Sequence, residues 1–459
     1  MTTAELDRAA ASRPLVPVDI GHNVYTAVTD PGTAFWALVD KRRVAESMAD
    51  ESPLMRDFRA KADSFAREID ALRFGLTPSG VYLNPTERCN LDCTYCYLPG
   101  QQRSKGSHMP VDRLISALGT LRDYFRTVVP EGRLPRAIFH GAEPLMNRDA
   151  VFAAIEQFGS DFAFGLQTNS TLLDDAAIDF LTSCNVSIGL SLDGPVAGIT
   201  DATRRTWGGR SVHDKVLAAM EKLRGYDSWS VITTCTTENL PHLTQMVELF
   251  HAHEVPTCML NTLRCTLPGA RGVKPADGDM ARALFTALDR THALYRDTGR
   301  KLVVANFANI LLAILAPTAR RLMCDISPCG GGRAFFALAA DGSLYPCSEF
   351  IGLPRFKGGN LFDERGIETA LQSEAFRHVT ARDVDRFAPC SDCAIRHFCG
   401  SPCPAEAHEM NGGMDRIGAF CDFYQAQVNY ALRLIADGKA DDYLWDGWDA
   451  DTTTVFHHA

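Results

Sequence analysis

Residues 81–100 read VYLNPTERCNLDCTYCYLPG, and the interpretation of the whole chain starts from this stretch. Its three cysteines, Cys89, Cys93 and Cys96, follow a C-x3-C-x2-C spacing. The same offsets would place three small residues on one face of a helix. However, the flanking Asn-Pro and Pro-Gly pairs and the poor helix formers between the cysteines favour an irregular loop. On a loop, three thiolates can converge on one iron–sulfur cube and leave one iron open, with packing or zinc as the alternatives.

From this stretch to residue 263 the chain alternates apolar, β-prone runs with amphipathic helical stretches. Six such units predict an α/β fold in which helices wrap a parallel sheet and functional residues stand at the carboxyl ends of the strands. The predicted strands are Val81–Pro85, Ala137–His140, Ala163–Thr168, Val186–Leu192, Ser230–Thr234 and Cys258–Leu263. The predicted helices are Val111–Val128, Ala150–Phe158, Asp174–Ser183, Ser211–Arg224 and Leu240–His253.

Short polar motifs stand directly after several predicted strands. Gly141-Ala142-Glu143-Pro144 follows the second strand, Gln167-Thr168-Asn169 ends the third, and Ser191-Leu192-Asp193-Gly194-Pro195 ends the fourth. The segment Thr200-Asp201-Ala202-Thr203-Arg204 comes next. Each motif alone is an ordinary turn, and an exposed arginine is usually solvated. Their order along six strands is what points to a ligand site.

The cysteine spacing, with the aromatic Tyr95 directly before the third cysteine, resembles the radical S-adenosylmethionine (SAM) superfamily. The resemblance implies a partial (β/α)6 TIM-like barrel, a [4Fe–4S] cluster on the three cysteines, and SAM chelated at the open iron. It also implies that the reduced cluster splits SAM into a 5′-deoxyadenosyl radical, which abstracts a hydrogen atom. That radical chemistry belongs to the cofactor, and the protein supplies position and shielding.

The four motifs resemble the SAM-binding segments of this superfamily in their order along the chain. The first is similar to GGEP with one Gly replaced by Ala, which restricts φ where Gly would not. The second resembles a TNG-type turn, the third matches SxDGP, and the fourth resembles HDxxR with Thr200 in place of His. A guanidinium such as that of Arg204 can bind the SAM carboxylate in bidentate fashion. The residues implied in cofactor binding are Tyr95, Gly141, Ala142, Glu143, Pro144, Thr168, Asn169, Ser191, Asp193 and Arg204.

Eight of the fifteen cysteines lie between Cys324 and Cys421. The C-x2-C-x5-C-x3-C run that starts at Cys390 suits structural zinc as well as iron–sulfur, and Ala334–Pro346 predicts a hairpin around Asp341-Gly342. Combined with the barrel, this module resembles the SPASM domain, which carries two auxiliary [4Fe–4S] clusters. By that resemblance Cys324, Cys329, Cys347 and Cys403 hold the first, and Cys390, Cys393, Cys399 and Cys421 hold the second.

Composition limits the class of protein. The chain has 459 residues with a net charge of −10, which argues against a nucleic-acid partner. No apolar run approaches the roughly 18 residues of a membrane span, and no signal peptide is visible. Fifteen cysteines without an export signal predict a reducing compartment, hence a cytoplasmic location. The four cysteines without ligand spacing are predicted to be buried core residues: Cys184, Cys235, Cys258 and Cys265.

Five segments are predicted along the chain. Residues 1–78 form an N-terminal unit with a hairpin in Asn23–Val39 and a helix over Pro53–Phe74. It is similar to the leader-peptide-recognition domains of peptide maturases, which bind a leader as an added strand, although a plain cap on the barrel is the alternative. The other segments are the barrel (79–268), a helical bridge (269–320), the SPASM domain (321–436) and a mobile tail or lid (437–459). The bridge is predicted to begin in a loop, Leu267–Gly278, and to contain helices Met280–Thr298 and Asn306–Leu315.

The resemblance implies a radical SAM oxidoreductase that matures a ribosomally made peptide. It would take hydrogen from a side chain of a leader-bearing precursor and install a carbon–carbon, ether or thioether crosslink, with electrons from a donor such as flavodoxin or ferredoxin. An anaerobic sulfatase-maturating enzyme is the first alternative, and a non-catalytic metal-binding scaffold is the second. In the sulfatase-maturating enzymes an Asp follows the third cysteine of the module, whereas here Ser348-Glu349 follows Cys347. The candidates for a catalytic base are Glu349 and Asp341, with His140 near the same elements.

Overall fold

The computed structural model describes residues 15–449, and one ten-stranded sheet organises most of this part of the chain. A separate three-stranded sheet lies near the N-terminus. The strands are β1 (Val16–Val18), β2 (Tyr25–Thr29), β3 (Trp36–Asp40), β4 (Gly80–Leu83), β5 (Arg136–Phe139), β6 (Ala163–Thr168), β7 (Ser187–Ser191), β8 (Trp229–Cys235), β9 (Thr257–Thr262), β10 (Val303–Val304), β11 (Phe335–Leu338), β12 (Ser343–Tyr345) and β13 (Gly359–Asn360).

The large sheet runs in the order β10-β9-β8-β7-β6-β5-β4-β11-β12-β13. Strands β4 to β9 are the six predicted from the sequence, each within two residues of the expected bounds, and neighbours pair in parallel. β11 adds to the free side of β4 in parallel, and the antiparallel β12 and β13 continue from it. The predicted α/β barrel and hairpin are thus confirmed, and the hairpin joins the barrel sheet, which the sequence did not predict.

Helices alternate with the parallel strands and cover the sheet. In the helix Val111–Val128, the buried residues Leu114, Leu118, Leu121 and Phe125 recur at helical spacing, so that one apolar face packs on the strands. The helices are α1 (Val44–Ser47), α2 (Pro53–Phe74), α3 (Gly100–Lys105), α4 (Val111–Val128), α5 (Arg148–Phe158), α6 (Asp175–Ser183), α7 (Ala197–Thr203), α8 (His213–Lys222), α9 (Leu243–Ala252), α10 (Pro268–Arg271), α11 (Asp277–Thr298), α12 (Ala305–Leu315), α13 (Gly366–Leu371), α14 (Glu374–Thr380), α15 (Arg396–Cys399), α16 (Pro404–Asn411) and α17 (Cys421–Ala436).

The N-terminal unit is an antiparallel sheet in the order β1-β2-β3, followed by α1 and α2. The predicted hairpin turns at Asp30, whose carboxylate accepts the Gly32 amide at 3.0 Å and the Thr33 hydroxyl at 2.6 Å. The unit also contacts the rest of the chain, because the Trp36 indole donates to the Ile314 carbonyl at 2.8 Å. No helix among residues 15–449 is long and apolar enough to cross a membrane.

Three expectations about local structure were wrong. Residues 437–449 are not a mobile tail, because Tyr443 is 6% and Leu444 0% exposed and the Trp445 indole donates to Thr257. The part of this segment beyond residue 449 lies outside the described residues. Cys184 is exposed, whereas the other three predicted core cysteines are buried. The predicted loop over residues 267–278 contains α10 and the first residues of α11.

Candidate functional site

The first three cysteines lie on an irregular loop that follows β4, as the sequence predicted. The loop is held by backbone bonds to the segment after α7, from the Asp92 amide to the Arg205 carbonyl and from the Thr94 amide to the Thr203 carbonyl. The three thiols interact with one another electrostatically, and burial raises the pKa of Cys89 to about 12 and that of Cys93 to about 11. Metal binding at these thiols therefore releases protons.

Arg103 of α3 fixes the shape of this loop. It is 7% exposed and donates to the Leu98 carbonyl at 3.1 Å, the Leu91 carbonyl at 3.0 Å and the Asp92 carboxylate at 3.2 Å. A guanidinium can satisfy several carbonyls at once because its donors have a fixed fork geometry. Sequence analysis missed this residue, since nothing in its neighbours marks it as buried.

A buried network joins the cysteine loop to the ends of β7 and β8. The Tyr95 hydroxyl donates to the Asp193 carboxylate, and Arg204 donates to Asp193 at 3.0 Å and to the Tyr95 oxygen at 2.6 Å. The second Asp193 oxygen accepts the Thr234 amide at 3.0 Å. Tyr95, Asp193 and Arg204, which were predicted as cofactor contacts, are thus hydrogen-bonded to one another, because each buried polar group needs a partner.

The turn after β5 brings the backbone close to the cysteine loop. Gly141 has φ +72°, and a methyl group there would lie 2.1 Å from the Asn84 side-chain amide. Ala142 has φ +48°, a left-handed conformation that L residues seldom adopt. The sequence expectation that Ala is the poorer residue at this position therefore has a structural reason. Gly141 is required for space as well as for conformation.

Glu143 lies behind this turn and is 0% exposed. Its carboxylate accepts from the Thr168 hydroxyl at 2.8 Å, the Asn169 amide at 2.8 Å and the Leu145 amide at 3.1 Å. Burial raises the pKa of Glu143, and these three donors oppose that rise. The acid therefore positions the turn after β6, and a direct contact with the cofactor stays a prediction for Glu143, as it does for Pro144 beside it.

One cavity of about 370 Å³ lies at the carboxyl ends of the strands and connects the barrel to the C-terminal module. Cys89, Cys93 and Cys96 line one part of it and Cys324, Cys329, Cys347 and Cys403 another. Glu143, Pro144 and Asp193 are not part of its lining. The predicted cofactor contacts that do line it are Tyr95, Gly141, Ala142, Thr168, Asn169, Ser191 and Arg204.

The cavity-lining cysteines of the C-terminal module form what we call the first group: Cys324, Cys329, Cys347 and Cys403. Cys347 interacts electrostatically with Cys324 and Cys329, and Cys329 interacts with Cys403. Cys347 follows β12 and Cys403 precedes α16, so the hairpin and the helix bring together residues that are far apart in the chain. These four are the residues that the SPASM resemblance assigned to one cluster.

The remaining four cysteines form the second group, which does not line the cavity. Cys399 interacts electrostatically with Cys390, Cys393 and Cys421. Cys390 and Cys393 lie on a short turn, where the Cys393 amide donates to the Cys390 carbonyl at 2.9 Å, and Cys421 begins α17. This arrangement is consistent with the two groups that the resemblance implied, and the assignment of each thiol to a cluster stays a prediction.

The donor chemistry fits iron–sulfur cubes better than single metal ions. A zinc site would bring several sulfurs to about 2.3 Å from one ion. Among residues 15–449 no group of three or more His, Cys, Asp or Glu side chains is arranged to hold one ion. The three sets consist of thiols alone, and thiolates are the donors that ligate the corner irons of iron–sulfur clusters.

Charged side chains on the cavity wall lie close to the first group. Arg264, two residues beyond β9, lies 3.8 Å from the Glu349 carboxylate and 3.6 Å from that of Glu406. Burial raises the pKa of Glu349 to about 7, and Glu406 adds to the rise while Arg264 opposes it. Glu349 Oε2 is buried without a hydrogen-bond partner among the described residues. This carboxylate is thus available to a group bound in the cavity.

The other two base candidates differ in position. Asp341 lies in the exposed β11–β12 turn, outside the cavity lining, and accepts the Ser343 amide at 2.9 Å and its hydroxyl at 2.7 Å. This position gives Asp341 a turn-stabilising role and does not support a catalytic one. His140 lines the cavity, and burial lowers its pKa to about 4, which keeps the ring neutral near pH 7.

Sequence analysis missed several cavity residues. Arg264 stands at the carboxyl end of the sixth barrel strand, where the rule for parallel sheets could have found it. Asp325, which the Asn309 side chain holds at 2.7 Å, and Tyr424, whose hydroxyl lies 3.1 Å from that of Thr262, also line the cavity. Asp325 directly follows the predicted ligand Cys324, which could have marked it, whereas Tyr424 reaches the cavity from α17 and nothing in its local sequence separates it from an ordinary surface residue.

Comparisons with known proteins agree with this geometry. A profile of the radical SAM superfamily matches residues 83–250, and one of the iron–sulfur cluster-binding SPASM domain matches residues 329–394. An uncharacterized protein of Archaeoglobus fulgidus is 38% identical over 90% of this chain and 93% of its own length. A cysteine-type anaerobic sulfatase-maturating enzyme of Clostridium perfringens is 22% identical over 78% of this chain and 98% of its own length.

Two solved structures share the fold. The structure titled anSMEcpe with bound AdoMet has a TM-score of 0.69 at 21% identity and covers 82% of this chain and 98% of its own. SuiB of Streptococcus suis bound to the precursor peptide SuiA has a TM-score of 0.59 at 10% identity and covers 88% of this chain and 100% of its own. At these identities the structural match supports the fold alone.

Proposed function

We propose that this enzyme, which belongs to the radical SAM superfamily and carries an iron–sulfur SPASM domain, modifies a ribosomally made precursor peptide. Its cofactors are SAM and three [4Fe–4S] clusters, one that binds SAM and two auxiliary ones. When bound, the SAM and its cluster supply the radical that abstracts a hydrogen atom from a peptide side chain. We infer that a carbon–carbon, ether or thioether crosslink then forms at that side chain.

The observation that carries this proposal is the cavity shared by the first three cysteines and the first group. A substrate held there lies between the SAM-binding end of the barrel and the C-terminal module. The lining holds carboxylate, amide and phenol groups, among them Glu349, Asn261, Gln427 and Tyr424. Such groups can pair with the backbone and side chains of a peptide, whose polar groups need partners once they leave water.

The chain's own residues would position the reactants. The Tyr95–Asp193–Arg204 network fixes the cysteine loop against the strand ends, and Gly141 lets the backbone approach the cofactor. Neutral His140 adds no charge to the cavity wall. Glu349 is the base candidate that we retain, because its side chain lines the cavity and has an oxygen free to accept a proton from the substrate.

The N-terminal unit is our candidate for leader recognition. β1 and β3 are the two edge strands of its sheet among the described residues, so an extended leader could pair with either as a further strand. SuiB has been solved with its precursor peptide, which is consistent with a leader-bearing substrate here. Amide hydrogen exchange would test the proposal: added leader peptide is expected to slow exchange of the amides of one edge strand, and unchanged exchange in both edge strands would favour a plain cap.

The electron donor is proposed to be a flavodoxin or ferredoxin in the cytoplasm, a reducing compartment that suits fifteen free cysteines.

The proposed docking face for this donor surrounds Trp207, which is 45% exposed and lies outside the cavity lining. Its indole donates to the Cys89 carbonyl at 2.9 Å. The exposed Arg205 and Arg210 beside it would attract an acidic donor. Replacing both with Glu should slow flavodoxin-driven SAM cleavage while dithionite-driven cleavage stays unchanged, and equal slowing with both reductants would contradict this docking face.

The direct test of function uses the full-length protein reconstituted anaerobically with iron and sulfide. Incubation with SAM, reductant and a candidate precursor peptide should yield 5′-deoxyadenosine and a peptide that has lost two hydrogen atoms. Tandem mass spectrometry then locates the crosslink. Formation of 5′-deoxyadenosine without any change in the peptide would reject that peptide as substrate, and no SAM cleavage at all would reject the proposed chemistry.

A sulfatase maturase is the second candidate, because the Clostridium perfringens sulfatase-maturating enzyme matches over nearly its whole length. The Ser348-Glu349 pair after Cys347 argues against it, since those enzymes have an Asp directly after this cysteine. A peptide with the CxPxR-type target decides the matter, because formylglycine formation would favour this alternative. The non-catalytic scaffold is set aside, since the chain belongs to an enzyme superfamily.

A further inference from the structure

Arg382 lies between the two cysteine groups of the C-terminal module. It is 5% exposed, and its guanidinium donates to the Ser401 carbonyl at 2.8 Å, the Ser401 hydroxyl at 3.0 Å and the Arg416 carbonyl at 2.7 Å. Ser401 stands midway between Cys399 of the second group and Cys403 of the first. The guanidinium is therefore clamped to the segment that links the two groups.

The same guanidinium interacts electrostatically with thiols of both groups. Burial lowers the pKa of Arg382, and Cys329 and Cys403 of the first group and Cys390 and Cys399 of the second oppose that effect. In return, burial raises the pKa of Cys329 and of Cys390, and Arg382 opposes that rise at both thiols. No other residue described above contacts both groups in this way.

Arg382 has no carboxylate partner to balance its charge. Among the described residues no Asp or Glu oxygen lies within 4.0 Å of its guanidinium, and its Nε is buried without a hydrogen-bond partner. A buried, unpaired cation is costly, so its retention calls for a negative group close by. A [4Fe–4S] cluster on four thiolates carries net negative charge, and one such cluster on each side would supply it.

We propose that Arg382 is a positioning charge shared by the two auxiliary clusters, and that it raises the reduction potential of both. Adding an electron to either cluster increases its negative charge, and a buried cation nearby stabilises that reduced state. The shared position also lessens the repulsion between the two clusters. The inference depends on the clusters and not on the peptide substrate, so its failure would leave the proposed function standing.

Arg264 provides a matched control. It interacts electrostatically with Cys324, Cys329 and Cys403, which all belong to the first group. Unlike Arg382, it lies within 4.0 Å of two carboxylates, those of Glu349 and Glu406. Its removal should therefore affect the first auxiliary cluster and leave the second unchanged.

The test is a redox titration, followed by electron paramagnetic resonance, of the reconstituted full-length protein. Arg382→Gln should shift the midpoint potentials of both auxiliary clusters to more negative values, whereas Arg264→Gln should shift one. Arg382→Lys, which keeps the charge, should restore most of the change. The SAM-binding cluster should keep its potential in all three variants.

Several outcomes would overturn the inference. A shift in one auxiliary cluster alone for Arg382→Gln would mean that the charge is not shared. An equal shift for the Lys and Gln variants would mean that charge is not the cause. If Arg382→Gln fails to retain its iron, the Ser401→Ala variant is measured instead, because it removes one hydrogen bond of the Arg382 guanidinium and keeps the charge in the protein. Negative shifts of both auxiliary potentials in Ser401→Ala, smaller than those expected for Arg382→Gln, would support the proposal. Unchanged potentials in Ser401→Ala would reject it.

Discussion

The two cysteine groups of the C-terminal module have the same ligand chemistry and different surroundings. The first group lines the cavity with Arg264 and Glu349 nearby. The second lies away from the cavity, between the loop that contains Asp385 and the start of α17. Position relative to the cavity, rather than the number of thiols, therefore distinguishes the two groups. We expect the first cluster to respond to substrate and the second to respond mainly to the stability of the module.

The largest expected effect comes from removing one cysteine of each group. Cys403→Ser and Cys421→Ser should each lose one of the three clusters, measured as iron and sulfide per chain. Cys403→Ser should abolish peptide modification while SAM cleavage continues, because its cluster borders the substrate cavity. Cys421→Ser should retain more product formation than Cys403→Ser. A higher product yield from Cys403→Ser than from Cys421→Ser would contradict the proposed difference between the two cysteine groups.

Glu349→Gln tests the side chain that faces the first group. Loss of a positioned acid or base costs about 100-fold or more in rate, so product formation should fall by that factor while 5′-deoxyadenosine still forms. Asp341→Asn is the matched control, because Asp341 lies in an exposed turn outside the cavity lining. Equal rates for the Glu349 variant and the parent enzyme would remove Glu349 as the base.

Arg73→Ala tests how the second group is anchored. Arg73 of α2 is 6% exposed and binds the Asp383 carboxylate at 2.6 Å and that of Asp385 at 2.9 Å. Removing one partner of such a buried pair costs about 3–5 kcal/mol. Chemical denaturation of the holoenzyme should show this loss, and exchange should increase around the second group.

The control for Arg73 lies on the same helix. Arg59 pairs with Asp50 at 2.9 Å, but both side chains are exposed. Arg59→Ala should therefore cost no more than about 1 kcal/mol. Equal destabilisation by the two substitutions would show that the Arg73 contacts do not anchor the module.

Gly400→Ala has the smallest expected effect and tests the link between the groups. Gly400 has φ +68°, and a methyl group there would lie 2.5 Å from the Asp325 carbonyl. Strain of this kind costs about 1–3 kcal/mol, and both clusters should become less stable to loss of iron. Gly412→Ala, at φ +81° with open space around it, should cost only about 1 kcal/mol and release no iron. Similar iron loss in both variants would contradict the proposed contact.

Much of the fold was predictable because its pattern is local. The six parallel strands are short apolar runs, the helices between them show the helical period of their buried faces, and the observed bounds match closely. The joining of β11 to β4 was not predictable, since strand pairing between distant segments leaves no local pattern. The burial of Tyr443 and Leu444 was not predictable from the sequence either, because a terminal segment rich in acidic and aromatic residues resembles a free tail.

The site divides in the same way. Motif spacing marked Gly141 and Asp193, because a tight turn and a strand end need particular residue types. It did not show that the Glu143 carboxylate is buried and accepts hydrogen bonds from three donors. Nor did it mark Arg103 or Arg382, since an arginine looks alike in sequence whether it is buried or solvated.

The class of chemistry can be inferred from the chain alone, because three cysteines at fixed spacing and four ordered motifs lie within short stretches of chain. Which thiols share a space, which group faces the cavity and which arginine lies between the groups depend on packing between segments that are far apart in the chain. Local spacing constrains neighbours, whereas the meeting of Cys403 with Cys329 depends on how a hairpin, a helix and a barrel pack together.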